Sequence, residues 1–128
     1  MSTTSIPKWQ YVAGWVCSVL ILVPLLPSAT FKILQPGDFL AQWTKDFPAA
    51  TARPIGIAEL LCTVLYFVPR TRVLGAILLA GYLGGAVCVH VRGGDGKFFV
   101  PFLVGVIAWL GIWLRDARLR ALLPITKD

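Results

Sequence analysis

The stretch RPIGIAELLCTVLYFVPRTR is apolar from Ile55 to Val68 except for one residue, Glu59. A carboxyl group in such a run is expected to face a bundle interior or a wet cavity and to find a partner there. Candidate partners with suitable chemistry are few. Lys32 closes the first apolar run, and His90 lies near the end of the third. On a helix, Cys62 and Tyr66 follow Glu59 on one face at three and seven residues, and Tyr82, Ala86 and His90 form a matching stripe. An ammonium, a carboxylate, an imidazole and two phenols could address the polar head of a small ligand or relay a proton. The same pairings, Lys32 with Glu59 or Glu59 with His90, could instead hold two helices in register.

Other chemistries are poorly served. Cys17, Cys62 and Cys88 each sit in a different apolar run with no C-x-x-C pair, so dithiol exchange is not expected and packing as small hydrophobes is. A single histidine and the lack of a Cys/His cluster argue against zinc or bis-histidine haem, so no metal site is expected. There is no Gly-rich phosphate loop, and the chain contains no Asn to accept an N-linked glycan. No cofactor motif is evident, and a quinone is the one cofactor-like ligand that the apolar setting suggests.

The elements that must position these residues follow from composition. A chain of 128 residues, 57% hydrophobic and 14% charged, does not close around one soluble core and reads as a membrane protein. Four apolar runs stand out: Tyr11 to Phe31, Ile55 to Val68, Val73 to Val91 and Phe98 to Leu114. Against the roughly 17 to 25 residues a spanning helix needs, the second is short and qualifies only by beginning near Ala49 or by lying deep in a thinned, protein-buried position. The expected fold is an all-α membrane protein of one domain, residues 1–128, with four transmembrane helices at about 10–33, 52–68, 72–91 and 98–115 in an antiparallel bundle. The first run is longer than a secretory signal core and is read as a retained helix.

The net charge of +6 does not point to nucleic acid, because the basic residues sit where apolar runs end. Lys8, Arg70, Arg72, Arg115, Arg118, Arg120 and Lys127 fall on the side of the termini. Lys32, Lys45, Arg53, Arg92 and Lys97 fall on the other, diluted by Asp38, Asp46 and Asp95. That balance favours cytoplasmic termini, and the expected setting is a multi-pass protein of a bacterial inner membrane. Trp9, Tyr11, Trp15, Trp109 and Trp113 fit interfacial anchors on the terminus side.

In the long loop ILQPGDFLAQWTKDFPAATAR, Phe39, Leu40, Trp43 and Phe47 recur at helical spacing after Asp38, a plausible N-cap. They predict a short amphipathic interfacial helix between helices 1 and 2. Antiparallel connectivity then puts Lys32, Glu59 and His90 at one end of the bundle, with Glu59 roughly 7 Å in from Pro54. In the third run, Ala76, Ala80, Gly84 and Cys88 make a ladder of small residues beside the Gly81 and Gly85 pair, a pattern of close helix packing within the chain or with a second copy. Pro24 and Pro27 should kink the first helix just before Lys32.

The stretches SATFKI, GIAELLCTVLYFVPRTRVLGAILLAGYLGGAVCVHVR and VGVIAWLGIWLRDARLRALLP resemble the DoxX-like family of small four-helix membrane proteins. Ser28 and Lys32 match the family pattern at the first-helix end, with Ala29 and Ile33 standing in for Gly and Leu. Glu59 to Leu61, Pro69 to Arg72 and His90 to Arg92 supply the remaining elements. The resemblance implies kinship with a membrane subunit of a thiosulfate:quinone oxidoreductase and with a chaperone that assembles nicotinic receptors, and it carries over no catalytic residue. Two functional expectations follow. The bundle binds a small apolar ligand, a quinone or isoprenoid lipid, at Lys32, Glu59, His90, Tyr66 and Tyr82, as an accessory subunit of a redox system rather than an autonomous enzyme. Alternatively it is a non-catalytic assembly factor that docks a partner membrane protein or a second copy.

Overall fold

A computed structural model describes residues 6–126, and all regular structure among them is helical. Lys127, counted above with the terminus-side charges, lies outside the described residues. Three helical stretches are long and apolar enough to cross a membrane, Lys8–Leu34, Ala49–Phe67 and Arg72–Gly93. A fourth apolar helix, Phe99–Arg115, has 17 residues, the lower end of the spanning range.

The first stretch is not one helix. Helix α1 covers Lys8–Leu20 and α2 covers Leu22–Leu34, with a break at Ile21. Pro24 accounts for the position of the break. It has no N–H to give the Leu20 carbonyl, and its ring clashes with that carbonyl, so the helix yields one turn upstream of the proline. Pro24 then occupies the first turn of α2, where an N–H would lack an intrahelical partner anyway, and only Pro27 lies inside a helix. The interruption expected from Pro24 and Pro27 just before Lys32 lies instead at Ile21.

The described residues fall into two compact units, one holding the chain up to Ile21 and from Leu83 onward, the other Leu22–Tyr82. In the second unit, α2 ends where Gln35 takes φ +54° and its N–H bonds the Phe31 carbonyl at 2.8 Å. Arg53 Nε donates to the Ile33 carbonyl at 3.0 Å, satisfying another of the orphan acceptors at that helix end. Helix α3, Phe39–Trp43, has five residues. Asp38 takes its N-cap position, as expected, without a side-chain capping bond. The apolar stripe is present as a ring stack, Phe39 to Trp43 at 5.8 Å and Trp43 to Phe47 at 4.8 Å between centroids. Trp43 Nε1 donates to the Pro48 carbonyl and to Thr51 Oγ1, tying the stripe to the start of the next helix.

That helix, α4, spans Ala52–Phe67 and is preceded by a 3-10 turn at Ala49–Thr51. The second apolar run therefore reaches spanning length by starting at Ala49. Helix α4 packs on α2 at Gly56, where an added Cβ would meet Lys32 Cβ at 2.7 Å and the Ala29 carbonyl at 3.1 Å. Helix α5, Arg72–Gly93, begins after a tight connection closed by Thr71 Oγ1 donating to the Leu65 carbonyl at 2.8 Å. Its Gly75 lies against the backbone of Tyr66.

In the first unit, α1 packs on α6, Phe99–Arg115, at Gly14, where an added Cβ would meet the Gly111 carbonyl at 2.7 Å and collide with the Arg115 side chain. A short helix not expected from the sequence, α7 at Ala117–Leu122, follows. Asp116 caps it by accepting from the Arg118 backbone N–H at 3.0 Å.

Candidate functional site

Four polar side chains of the Leu22–Tyr82 unit converge. Ser28 and Lys32 lie one turn apart on α2, Glu59 comes from α4 and Tyr82 from α5. Lys32 occupies the last turn of its helix, the end of the helix dipole that favours a cation. Glu59 reaches it because Gly56, one turn earlier, removes the side chain that would hold α4 away from α2.

The Glu59 side chain is 1% exposed and that of Lys32 13%. Lys32 Nζ donates to Glu59 Oε1 at 2.9 Å, to Ser28 Oγ at 2.7 Å and to the Tyr82 hydroxyl oxygen. Those three acceptors match the three N–H donors of an ammonium. Ser28 Oγ in turn gives its proton to Glu59 Oε1 at 3.1 Å. A buried ion pair offsets its desolvation cost only with good geometry and further hydrogen bonds, and this pair has both. The Tyr82 oxygen accepts from Lys32, and its hydroxyl is also hydrogen-bonded to the Glu59 carboxylate, which closes the cluster. The same ammonium lies 5.2 Å from the Tyr82 ring centroid, within range of a cation–π contact.

The other expected site residues are placed differently. Tyr66 is fully buried on α4, edge-on to Phe67 at 5.1 Å and beneath Gly75. His90 belongs to the other unit, where its Nδ1 lies 2.6 Å from Asp95 Oδ2. Asp95 Oδ1 also accepts the Lys97 backbone N–H at 2.9 Å. That amide first, and His90 second, hold the Asp95 carboxyl below the usual carboxylate range. Gly94 and Gly96, at φ +67° and +75°, supply the turn that carries Asp95 back to the ring. On α5, Ala76 is buried, whereas Ala80, Gly81, Gly84 and Gly85 are exposed, and an added Cβ at any of these glycines would meet nothing within 4 Å.

Two residues not expected among the site residues make buried or part-buried polar contacts, Ser28 within the cluster and Arg115 in the other unit. Ser28 was visible only as a motif match, although a serine one turn before a lysine is a signal for such a bridge. Arg115, expected as a flanking charge, is 6% exposed: Nη2 donates to Ser18 Oγ at 2.9 Å, and the guanidinium lies 4.0 Å from the Trp15 ring centroid. Among the described residues, no group of three or more His, Cys, Asp or Glu could hold a metal ion. The three cysteines carry free thiols.

The model of the DoxX-like family matches residues 16–111, a stretch that begins in α1 and ends in α6. No curated protein and no solved structure matches the chain.

Proposed function

Since the chain belongs to the DoxX-like family and carries several apolar helices of membrane length, it is an integral membrane protein, and we propose that it binds a small apolar ligand at Lys32, Glu59 and Tyr82. The ligand class is a quinone or an isoprenoid lipid with an oxygen acceptor in its head. One observation carries this reading. The Tyr82 hydroxyl, held between the Lys32 ammonium and the Glu59 carboxylate, is a polar group in an apolar setting that can turn its proton from Glu59 to a further acceptor on a ligand. A carbonyl or alkoxy oxygen is such an acceptor, and the apolar body of the ligand would lie along the helices. Glu59 sets the ammonium in place and is a positioning residue. The aromatic stack of Phe39, Trp43 and Phe47 would cover the ligand from the interface.

In this reading the spans complete an antiparallel four-helix bundle with cytoplasmic termini in a bacterial plasma membrane, serving a membrane redox system as an accessory subunit. A second reading, an assembly factor that docks a partner membrane protein or a second copy, is favoured by the open glycine face of α5 at Gly81, Gly84 and Gly85. Co-purification separates the two. Protein extracted in mild detergent should retain a quinone or isoprenoid lipid near one per chain, and Glu59→Gln should lose it. A wild-type protein that carries no such molecule, under conditions where it stays folded, removes the first reading.

A further inference from the structure

The C-terminal segment offers an interaction surface independent of that site. Helix α7 directly follows α6, the last apolar helix, and is tied back onto it. Arg120 Nε and Nη2 donate to the carbonyls of Trp113 and Leu114, two acceptors of the last turn of α6 that lack intrahelical partners. Trp113 Nε1 donates to the Leu123 carbonyl at 3.1 Å, fixing the far end of the segment. Where α6, at the lower limit of spanning length, crosses the bilayer, a stretch bound in this way to its end lies at headgroup depth.

Its chemistry suits that position. Leu119 is buried, but Leu122, Leu123 and Ile125 are exposed at 58%, 39% and 78%. Between them and the helix end stand Arg118 and Arg120. Asp116, the only acid among residues 109–126, is buried and occupied: it caps α7 and accepts from Arg118 Nε and Nη2. Each guanidinium has five donors, and the contacts to Asp116 and to the two carbonyls leave most of both sets open. The Arg120 guanidinium also lies 5.6 Å from the Trp113 ring centroid, placing an interfacial aromatic beside it.

We infer that α7 and the residues after it form a docking surface for anionic phospholipid, with Arg118 and Arg120 each offering donors to a headgroup phosphate and Leu122, Leu123 and Ile125 entering the acyl boundary. Charge complementarity fixes the lipid class, because the two guanidiniums outnumber the one carboxylate, Asp116, which is buried against Arg118. The test is lipid retention by the whole protein in micelles containing equal phosphatidylglycerol and phosphatidylcholine, read by mass spectrometry of the bound lipid. Wild type should enrich phosphatidylglycerol up to about 25-fold, from roughly a fivefold contribution per arginine. R118Q/R120Q should erase the enrichment, and R118K/R120K, which keeps charge but loses the forked geometry, should retain much of it. Equal retention of the two lipids by wild type overturns the inference. So does undiminished enrichment in R118Q/R120Q, or a lysine variant that loses as much as the glutamine variant, since then helix anchoring and not charge governs retention.

Discussion

Replacing Glu59 by Gln removes the only charge that balances Lys32 within its hydrogen-bonded cluster while keeping the side chain nearly isosteric. At 2.9 Å and an effective dielectric constant near 20, the pair's Coulomb attraction is about 6 kcal/mol. Most of that offsets desolvation, so the relevant quantity is the cost of stranding one partner, about 3–5 kcal/mol for a buried pair. Lys32 retains 13% exposure and a flexible stem that can move its ammonium toward the interface, which places the expected loss near the lower end, about 3 kcal/mol. Converting Lys32 to Met in the same chain removes the stranded cation. The K32M/E59Q variant should therefore lie within about 1 kcal/mol of wild type, because a buried pair replaced by uncharged groups is often neutral. Titration with denaturing detergent in mixed micelles, followed by far-ultraviolet circular dichroism, gives all four corners of the cycle. An E59Q variant within about 0.5 kcal/mol of wild type would refute the reasoning, as would a double variant as unstable as the sum of the single ones.

Three further outcomes follow from the geometry. Gly75→Ala should cost several kcal/mol in the same titration, because its Cβ would enter the backbone of Tyr66, whereas Gly81→Ala should gain up to about 1 kcal/mol from helix propensity in open space. Equal effects at the two positions would contradict the packing described. Gln35→Gly should stabilise by about 1 kcal/mol, since Gln35 holds a left-handed conformation at the end of α2, and a clear loss of stability would show that its weak bond to the Lys32 carbonyl at 3.4 Å matters more. The Asp95 clasp has a lowered carboxyl pKa, so its contribution is present above the ordinary carboxylate value of about 3.9 and is lost as pH falls through the folded value. Exchange protection of the Lys97 amide should persist at about pH 5 and fade on further acidification; protection already lost there would point to another cause.

The pairing of Lys32 with Glu59 was legible because hydropathy places the spans and antiparallel order brings the end of one beside the start of the next. Ser28 and Tyr82 join it through helical spacing, one turn from Lys32 in one case and on the polar stripe of α5 in the other. His90 carried the same kind of signal yet has a local partner. The GGDG turn folds Asp95 back onto it over five residues, a short-range geometry that depends on positive φ at Gly94 and Gly96 and leaves little trace in periodicity. Pro24 was read correctly as a disturbance but placed too late, because a proline acts on the carbonyl four residues before it. Arg115 was read from its place at the end of an apolar run. Its inward course beside Gly14 to Ser18 depends on a neighbouring helix that lies about a hundred residues earlier in the chain.

The claim that Tyr82 gives its proton to a bound ligand is tested most directly by calorimetric titration of the purified protein with a short-chain benzoquinone, comparing wild type with Tyr82→Phe. Removing one hydroxyl leaves the Lys32–Glu59 pair in place, so the variant should stay folded and bind about fivefold more weakly, the equivalent of one hydrogen bond of about 1 kcal/mol. No saturable binding by the wild type, or equal affinity in the two proteins, would contradict the account.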